Sequence, residues 1–266
     1  MDLIKTAGTF LFVPATRPDR IEKALATKAD VVIIDLEDAV RDEDKVQARQ
    51  NLASLHPSRS ACIRINDETT SHFEDDVALI AVCPWVSAIA IPKVHSASQV
   101  ERFRHAVKNE VPILALIESA QGIVDLEEIA NSGVRRLLFG SADYAAELGA
   151  EPNERLFEYP RSRLVVASAA AGLAPPIDGP TLAIHDNDRL SEEARVALML
   201  GMGGKLCIHP KQIAVVDSIF RASWSRKRWA HEVLDAYENC GGGVLIVNGE
   251  MVDAPVVARA RKILSE

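Results

Sequence analysis

Read in chain order, a series of short apolar runs each ends on groups able to do chemistry. TFLFVPA leads into Arg17, VVIIDLED carries Asp35, Glu37 and Asp38, and ACIRIN carries Arg64 and Asn66. AIAIPKV ends near Lys93, PILALIES at Glu118, RLLFGSAD at Asp143, PPIDGP at Asp178 and KLCIHP at His209. Glu118 and Asp143 end neighbouring runs with no basic residue beside either, so if they converge they repel unless a cation lies between them. Oxygen donors without a His or Cys cluster suit a hard divalent ion, Mg2+ with Mn2+ as the alternative. Ion pairs and turn caps also collect at such positions, so the spacing leaves the metal open. Lys93 offers another chemistry, a Schiff base with a carbonyl substrate, against the plainer pairing with Glu118 or another nearby carboxylate, which is the favoured reading. Asp178 beside Gly179 and Pro180 suits a turn as well as a site, and His209 suits a hydrogen-bonded core position as well as a base. Asp35 and Glu37 share a face, with Asp38 pointing elsewhere unless the strand has already ended.

These groups need a frame that brings the ends of successive runs together. The runs are β-branched, apolar on both faces, and alternate with amphipathic helical segments at intervals of about 25–30 residues, the pattern of strand–helix units around a parallel sheet. Ile21, Ala24 and Leu25 share one helical face, as do Val100, Phe103 and Val107, and Ile123, Leu126 and Ile129. Ser96 and Ser191 stand where helix N-caps belong. Eight such units predict an α/β fold, a (β/α)8 barrel over residues 1–220, with its site at the carboxyl ends of the strands. A doubly wound open sheet is the alternative, but the turn after the first strand reads PATRP rather than a glycine-rich phosphate loop. GMGGKL lacks the Ser or Thr of a P-loop and reads as a helix C-cap entering the eighth strand. Neither a G-x-S-x-G elbow nor an H-E-x-x-H motif is present. Near Phe220 the pattern changes. Residues 221–266 predict an appended helix, a hairpin with Asn248-Gly249 at its tip, and a last helix with Pro255 in its first turn.

The composition sets the outer bounds. The chain has 266 residues, 48% hydrophobic and 26% charged, with 14 Gly and 13 Pro, enough to bury a core and unlike a disordered or collagenous chain. Thirty Lys+Arg against 38 Asp+Glu leave a net charge of −8, which argues against a nucleic-acid partner. The densest basic run, Arg221 to Arg228, reads as a solvated helix face. Cys62, Cys83, Cys207 and Cys240 form no C-x-x-C pair and suit buried thiols in a reducing, cytoplasmic setting. No apolar run is long enough for a membrane span and the N-terminus lacks a secretory pattern, so a soluble, unexported protein is expected.

LFVPATRPDRIEKA, VVIIDLEDAV, IRIN, IPKV, ALIES, FGSAD, IDGP and CIHPKQI, in this order and covering nearly the whole chain, resemble the citrate lyase β-subunit (CitE-like) proteins of the HpcH/HpaI aldolase superfamily. The resemblance implies a Mg2+-dependent carbon–carbon lyase acting on a 3-hydroxy acyl thioester such as citryl, malyl or citramalyl, carried on coenzyme A or an acyl-carrier protein. It implies Glu118 and Asp143 as metal ligands, Arg64 as a substrate-binding and catalytic arginine, and Glu37 and Asp38 as an acidic pair near the metal. Phe12, Arg17 and Lys23 match positions that hold coenzyme A. Asp253 of VDAP matches an aspartate that reaches a neighbouring subunit's site, which implies a homotrimer or hexamer with the 221–266 extension packed on a neighbour. Two departures stand out: Ala15 replaces a glycine in the first loop, and Thr181 stands where many relatives carry tyrosine.

Chemically, such a site must chelate a 2-oxo acid and hold charge on a thioester enolate. A thioester hydrolase, a class II aldolase of free 2-oxo acids, a Schiff-base aldolase on Lys93 and a non-catalytic regulatory subunit remain as rivals. Asp253 on a flap favours an active enzyme.

Overall fold

The eight apolar runs form parallel strands: β1 (Thr9–Pro14), β2 (Val31–Asp35), β3 (Ala61–Arg64), β4 (Val86–Ile91), β5 (Ile113–Ile117), β6 (Arg136–Phe139), β7 (Ile177–Asp178) and β8 (Gly204–Cys207). They close in sequence order, with β8 returning to β1 through the register Thr9↔Lys205. That closure is the expected barrel and excludes the open sheet. The computed structural model describes residues 3–107, 111–241 and 243–265, the side chains of 222–225 and 265 aside. Its packing divides the chain into two compact units, Met1–Val216 and Asp217–Glu266.

Period-2 alternation decides what each strand residue does. Phe10, Ile33, Cys62, Leu116, Leu138 and Leu206 belong to the barrel's interior cluster. Continuing the same parity to the carboxyl ends brings Phe12, Asp35, Arg64, Glu118 and Gly140 over that interior. The opposite parity sends Asp178 outward, so it is not a pocket wall. Its carboxylate accepts from Arg161 (2.7 and 3.1 Å), on the helix Glu154–Ala170, and from Lys205 Nζ (2.6 Å). All three side chains are buried.

At the opposite end Arg136, the first residue of β6, closes the floor. It donates to the carbonyls of Ile4, Ala7, Pro175 and Gly203, and lies 5.6 Å from the centre of the Phe10 ring. Burial draws its pKa down to about 9, against the pull of Asp30.

Several local expectations hold. Ser96 caps the helix Ala97–Ala106 by accepting from Gln99 N–H. Gly201, at φ 99°, ends the helix Asn187–Met199, with Met202 N–H reaching back to the Ala197 carbonyl. Others are corrected. Ser191 is not a cap: Asp186 caps that helix, and the Ser191 hydroxyl donates one turn back to the Asn187 carbonyl. The face Ile123, Leu126 and Ile129 is buried but spans two short helices, Ala120–Val124 and Leu126–Asn131, broken at Asp125. The appended helix does not begin afresh after Phe220: one helix runs from Lys211 to Asn239, and the division between the two compact units falls within it, after Val216.

In the second unit, Ala230, Val233, Val252, Val257 and Ala260 form a separate apolar core. The hairpin β9 (Leu245–Val247) and β10 (Glu250–Val252) turns at Asn248 (φ 52°) and Gly249 (φ 85°), as the Asn-Gly pair predicts. Of the basic run, the side chains of 222–225 lie outside the described residues. Arg221 and Arg228 are exposed and pair along their own helix with Asp217 and Glu232. Among the described residues no helix is long and apolar enough to cross a membrane.

Asp178→Ala removes the carboxylate that two buried cations share, leaving Arg161 only Glu154 and Lys205 only a 3.8 Å approach to Glu193, so it should destabilise the barrel by about 3–5 kcal/mol in urea unfolding. Burial raises the Asp178 pKa, but Lys205 and Arg161 outweigh it and hold the carboxyl below its ordinary value. Its stabilisation is therefore complete above the unfolded pKa, about 3.9, and is lost as pH falls through the lower, folded one. The acid limb of the stability–pH curve should be shallower in Asp178→Ala than in the wild type.

Candidate active site

A cavity of about 420 Å3 opens at the carboxyl ends of the strands, lined among others by Phe12, Asp35, Asp38, Arg64, Glu118, Gly140 and Asp143. Arg64, the last residue of β3, is one of the lining residues. Its Nε and Nη2 donate to the two oxygens of Asp35 on neighbouring β2, at 2.7 and 2.6 Å, a bidentate pair set by the register Asp35↔Arg64. Nη1 lies 2.8 Å from Glu37 Oε2 and 3.3 Å from Asp38 Oδ2. The guanidinium stacks 5.1 Å from the centre of the Phe12 ring. Burial would lower its pKa, but Asp35, Glu37 and Asp38 raise it and keep it cationic.

Asp38 joins Arg64 although alternation alone would turn it away, because β2 ends at Asp35 and the chain then curls over the barrel mouth. Asp35 itself holds that curl, accepting from the N–H groups of Glu37 and Ala39. Beneath it lies a network that nothing local in the sequence announces. Lys45 Nζ donates to the Leu36 and Glu37 carbonyls and to Asn66 Oδ1, Asn66 donates to Asp76, and Asp76 pairs with Arg49. Lys45, Asn66 and Asp76 are buried, so each depends on the others for its hydrogen bonds.

Lys93 follows β4. Its ammonium donates to Glu37 Oε1 at 2.5 Å, and burial, which would lower its pKa, is outweighed by Glu37, Asp38 and Glu118, which raise it. A Schiff-base lysine needs the opposite shift, so the favoured ion pair is what the structure shows, to Glu37 rather than Glu118.

Glu118 is 3% exposed. One oxygen, Oε1, accepts from the Lys93 N–H at 2.7 Å, while the other, Oε2, is buried without a hydrogen-bond partner. Burial first, then the charges of Glu37 and Asp143, push its pKa up to about 8, against Arg64 and the Lys93 N–H. Glu37 is likewise pushed by burial to about 7, against Arg64 and Lys93. Gly140, at the end of β6, allows this placement: a Cβ there would sit 2.4 Å from Glu118 Cβ and 2.5 Å from Oε2. Asp143, in the first turn of the helix Ser141–Glu147, is exposed and lines the same cavity.

An orphaned carboxylate oxygen with a raised pKa, next to a second carboxylate, fits a hard divalent cation. Among the described residues no three His, Cys, Asp or Glu gather into a cage. Mg2+ does not need one, since it takes one or two carboxylates and fills its other positions with water and substrate.

The family model described as HpcH/HpaI aldolase/citrate lyase matches residues 9–210. The chain belongs to the HpcH/HpaI aldolase/citrate lyase family. CitE from Mycobacterium tuberculosis, solved in complex with magnesium, acetoacetate and coenzyme A, is 35% identical over 98% of this chain and 97% of its own, with a TM-score of 0.75. Two proteins of Cereibacter sphaeroides are each 31% identical over 96% of this chain and 93% of their own length. One is a (3S)-malyl-CoA thioesterase and the other an L-malyl-CoA/beta-methylmalyl-CoA lyase.

The remaining expected residues are not among those that line this cavity. Arg17, before the helix Pro18–Leu25, is exposed and paired with Asp19 (3.0 and 3.1 Å), and Lys23 is exposed on the same helix. Asp253 belongs to the second unit, where its carboxylate caps the last helix by accepting from Val256 N–H. Asn66 serves the network beneath the loop. His209 Nδ1 accepts from Lys211 N–H at the start of its helix. Thr181 is buried and donates to Glu193, so Pro180 rather than Thr181 lines the cavity.

Gly140→Ala forces Glu118 to move. Mn2+ affinity, measured by calorimetry, should fall roughly tenfold or more, while circular dichroism shows the barrel retained.

Proposed function

We propose that this family member is a Mg2+-dependent lyase that cleaves a 3-hydroxy acyl thioester, of the malyl, citramalyl or citryl type, into an acetyl thioester and a 2-oxo acid. The observation that carries the reading is the unpartnered Oε2 of buried Glu118, beside Arg64 in a cavity that Asp143 also lines. Glu118 and Asp143 would hold the ion, which when bound polarises the oxygens of the acid half as a Lewis acid.

The chain's own residues supply the rest. Arg64, locked by Asp35, keeps its Nη1 edge beside Glu37 and Asp38 and offers a fixed cation to negative charge developing on the thioester oxygen. Phe12 gives the thioester arm an apolar wall, and exposed Arg17 and Lys23 suit the phosphates of coenzyme A or of a carrier's phosphopantetheine. Asp38, half-exposed and on the cavity wall, is the carboxylate open to take the hydroxyl proton. As that proton leaves, the C2–C3 bond breaks, its electron pair enters the enolate, and a proton from Asp253 completes the acetyl group. We assign Asp253 to the site of a neighbouring copy, in a trimer or hexamer held partly by the 221–266 extension.

A second reading, hydrolysis of the thioester, is favoured by the thioesterase relative at the same identity as the lyase. Incubation with malyl-, citramalyl- and citryl-CoA, with and without Mg2+, separates the two by mass spectrometry. Metal-dependent release of acetyl-CoA with a 2-oxo acid is the expected outcome. Free CoA with intact hydroxy acid would give the hydrolase, and no turnover of any of the three would remove the CoA-thioester assignment.

Asp253→Ala should abolish turnover and leave Mn2+ binding intact. Because the aspartate is assigned to a neighbour's site, mixing and reassembling Asp253→Ala with Glu118→Gln should restore part of the activity that both variants lack. Mixtures that stay inactive while forming mixed oligomers would show that Asp253 does not act across subunits.

A further inference from the structure

The turn after β4 has a conformation its residue type does not favour. β4 ends at Ile91, Pro92 has no N–H to give, and Lys93 takes φ 53°, a left-handed backbone that glycine or asparagine adopts more readily. The next residue is already tied down, since Val94 N–H donates to the Leu116 carbonyl of β5 at 3.1 Å. Between Pro92 and this bond, the left-handed residue turns its own N–H inward, onto Glu118 Oε1 at 2.7 Å. The side chain secures the same turn from the other side, with Nζ 2.5 Å from Glu37 Oε1. One residue thus holds two carboxylates from two strand ends, by its peptide and by its ammonium.

We propose that Lys93 is a positioning residue that decides which oxygen of Glu118 is offered to the cation. Its N–H occupies Oε1 and leaves Oε2, on the Gly140 side, as the ligand. Without that N–H the carboxylate is free to rotate, and either oxygen, or both, can face the ion. The inference rests on Glu118 being a metal ligand, as proposed above, and it attributes the geometry to backbone conformation rather than to the lysine charge.

Backbone and charge can be separated by substitution. Lys93→Gly removes the ammonium but keeps the N–H in an unstrained left-handed turn. Lys93→Val also removes the ammonium, and its branched side chain resists φ above zero. Lys93→Ala stands between them. With Mn2+ as the probe, followed by the electron paramagnetic resonance of the free ion, Lys93→Gly should bind at least as tightly as wild type, because it keeps the hydrogen bond and removes a like charge. Lys93→Val should bind roughly tenfold or more weakly, the scale on which lost support of a metal ligand is felt. Should Lys93→Val fail to fold, Lys93→Ala binding more weakly than Lys93→Gly carries the same meaning. Equal affinity in the folded Gly and Val (or Ala) variants would overturn the proposal, as would a loss in Lys93→Gly as large as in Lys93→Val. A wild-type protein that binds no Mn2+, or a Glu118→Gln variant that binds it normally, would instead remove the metal reading beneath it.

Discussion

The constraint on which the rest of the structure depends is charge balance at the mouth of an apolar barrel. Asp35, Glu37 and Glu118 are all buried there, and Asp38 and Asp143 stand close by. The cations facing them are Arg64 and Lys93. Among the described residues, three buried carboxyl groups with two exposed ones close by outnumber these two cations, and where the surplus is buried it is costly unless protons or a metal ion remove it. Asp35 is satisfied by the fork of Arg64, and Glu37 lies between Arg64 and Lys93. The imbalance therefore falls on Glu118 and in part on Glu37: both carboxyls have raised pKa values and one buried oxygen without a hydrogen-bond partner, but Glu37 Oε2 has Arg64 Nη1 at 2.8 Å.

Holding that imbalance in place requires rigidity, and the barrel provides it by separating structure from chemistry on the two faces of each strand. Outward-facing Asp178, Arg161 and Lys205 form a buried cluster whose charges are closely paired, and inward-facing Arg136 closes the floor with four carbonyls. In the first the charges face one another, and in the second the guanidinium's donors are taken up by carbonyls. The loop after β2 is carried on the Lys45–Asn66–Asp76–Arg49 network, so Glu37 and Asp38 are presented by buried hydrogen bonds rather than by a free loop. Among the described residues, the two buried carboxylate oxygens without a hydrogen-bond partner, Glu37 Oε2 and Glu118 Oε2, thereby both belong to the carboxyl-end cluster.

This separation explains what could be read from the residues and what could not. Strand count, barrel closure and the prominence of Glu118, Asp143 and Arg64 follow from apolar runs that end in charges, a local signal. Asp178 stays open between a turn and a site in the sequence because a two-residue strand gives no periodicity from which to tell its faces. Lys45 and Asp76 were missed because their role arises between segments distant in sequence, and a lysine in a helical segment reads as solvated. Lys93 was visible as a lysine at a strand end, but its left-handed backbone leaves no trace in composition. Asp253 was singled out only through family resemblance, since as a helix N-cap it looks like any other capping aspartate.

The coexistence of lyases and thioesterases among proteins equally similar to this one also follows from the cluster. Carbon–carbon cleavage puts negative charge on the thioester oxygen as an enolate, and hydrolysis puts it on the same oxygen as a tetrahedral oxyanion. A fixed Arg64, with a cation held as proposed by Glu118 and Asp143, would serve both, because each needs positive charge in that one direction. The two reactions differ in what meets the carbon atoms. Cleavage requires a proton donor at the enolate carbon and the exclusion of water from the carbonyl carbon, whereas hydrolysis requires a positioned water there. Buried at the strand ends, the Arg64 and Glu118 cluster can set the shared electrostatics but contributes no acid on the acetyl side. On the proposed reading, the choice between the two outcomes therefore belongs to groups outside that cluster, the role proposed above for Asp253 of a neighbouring copy.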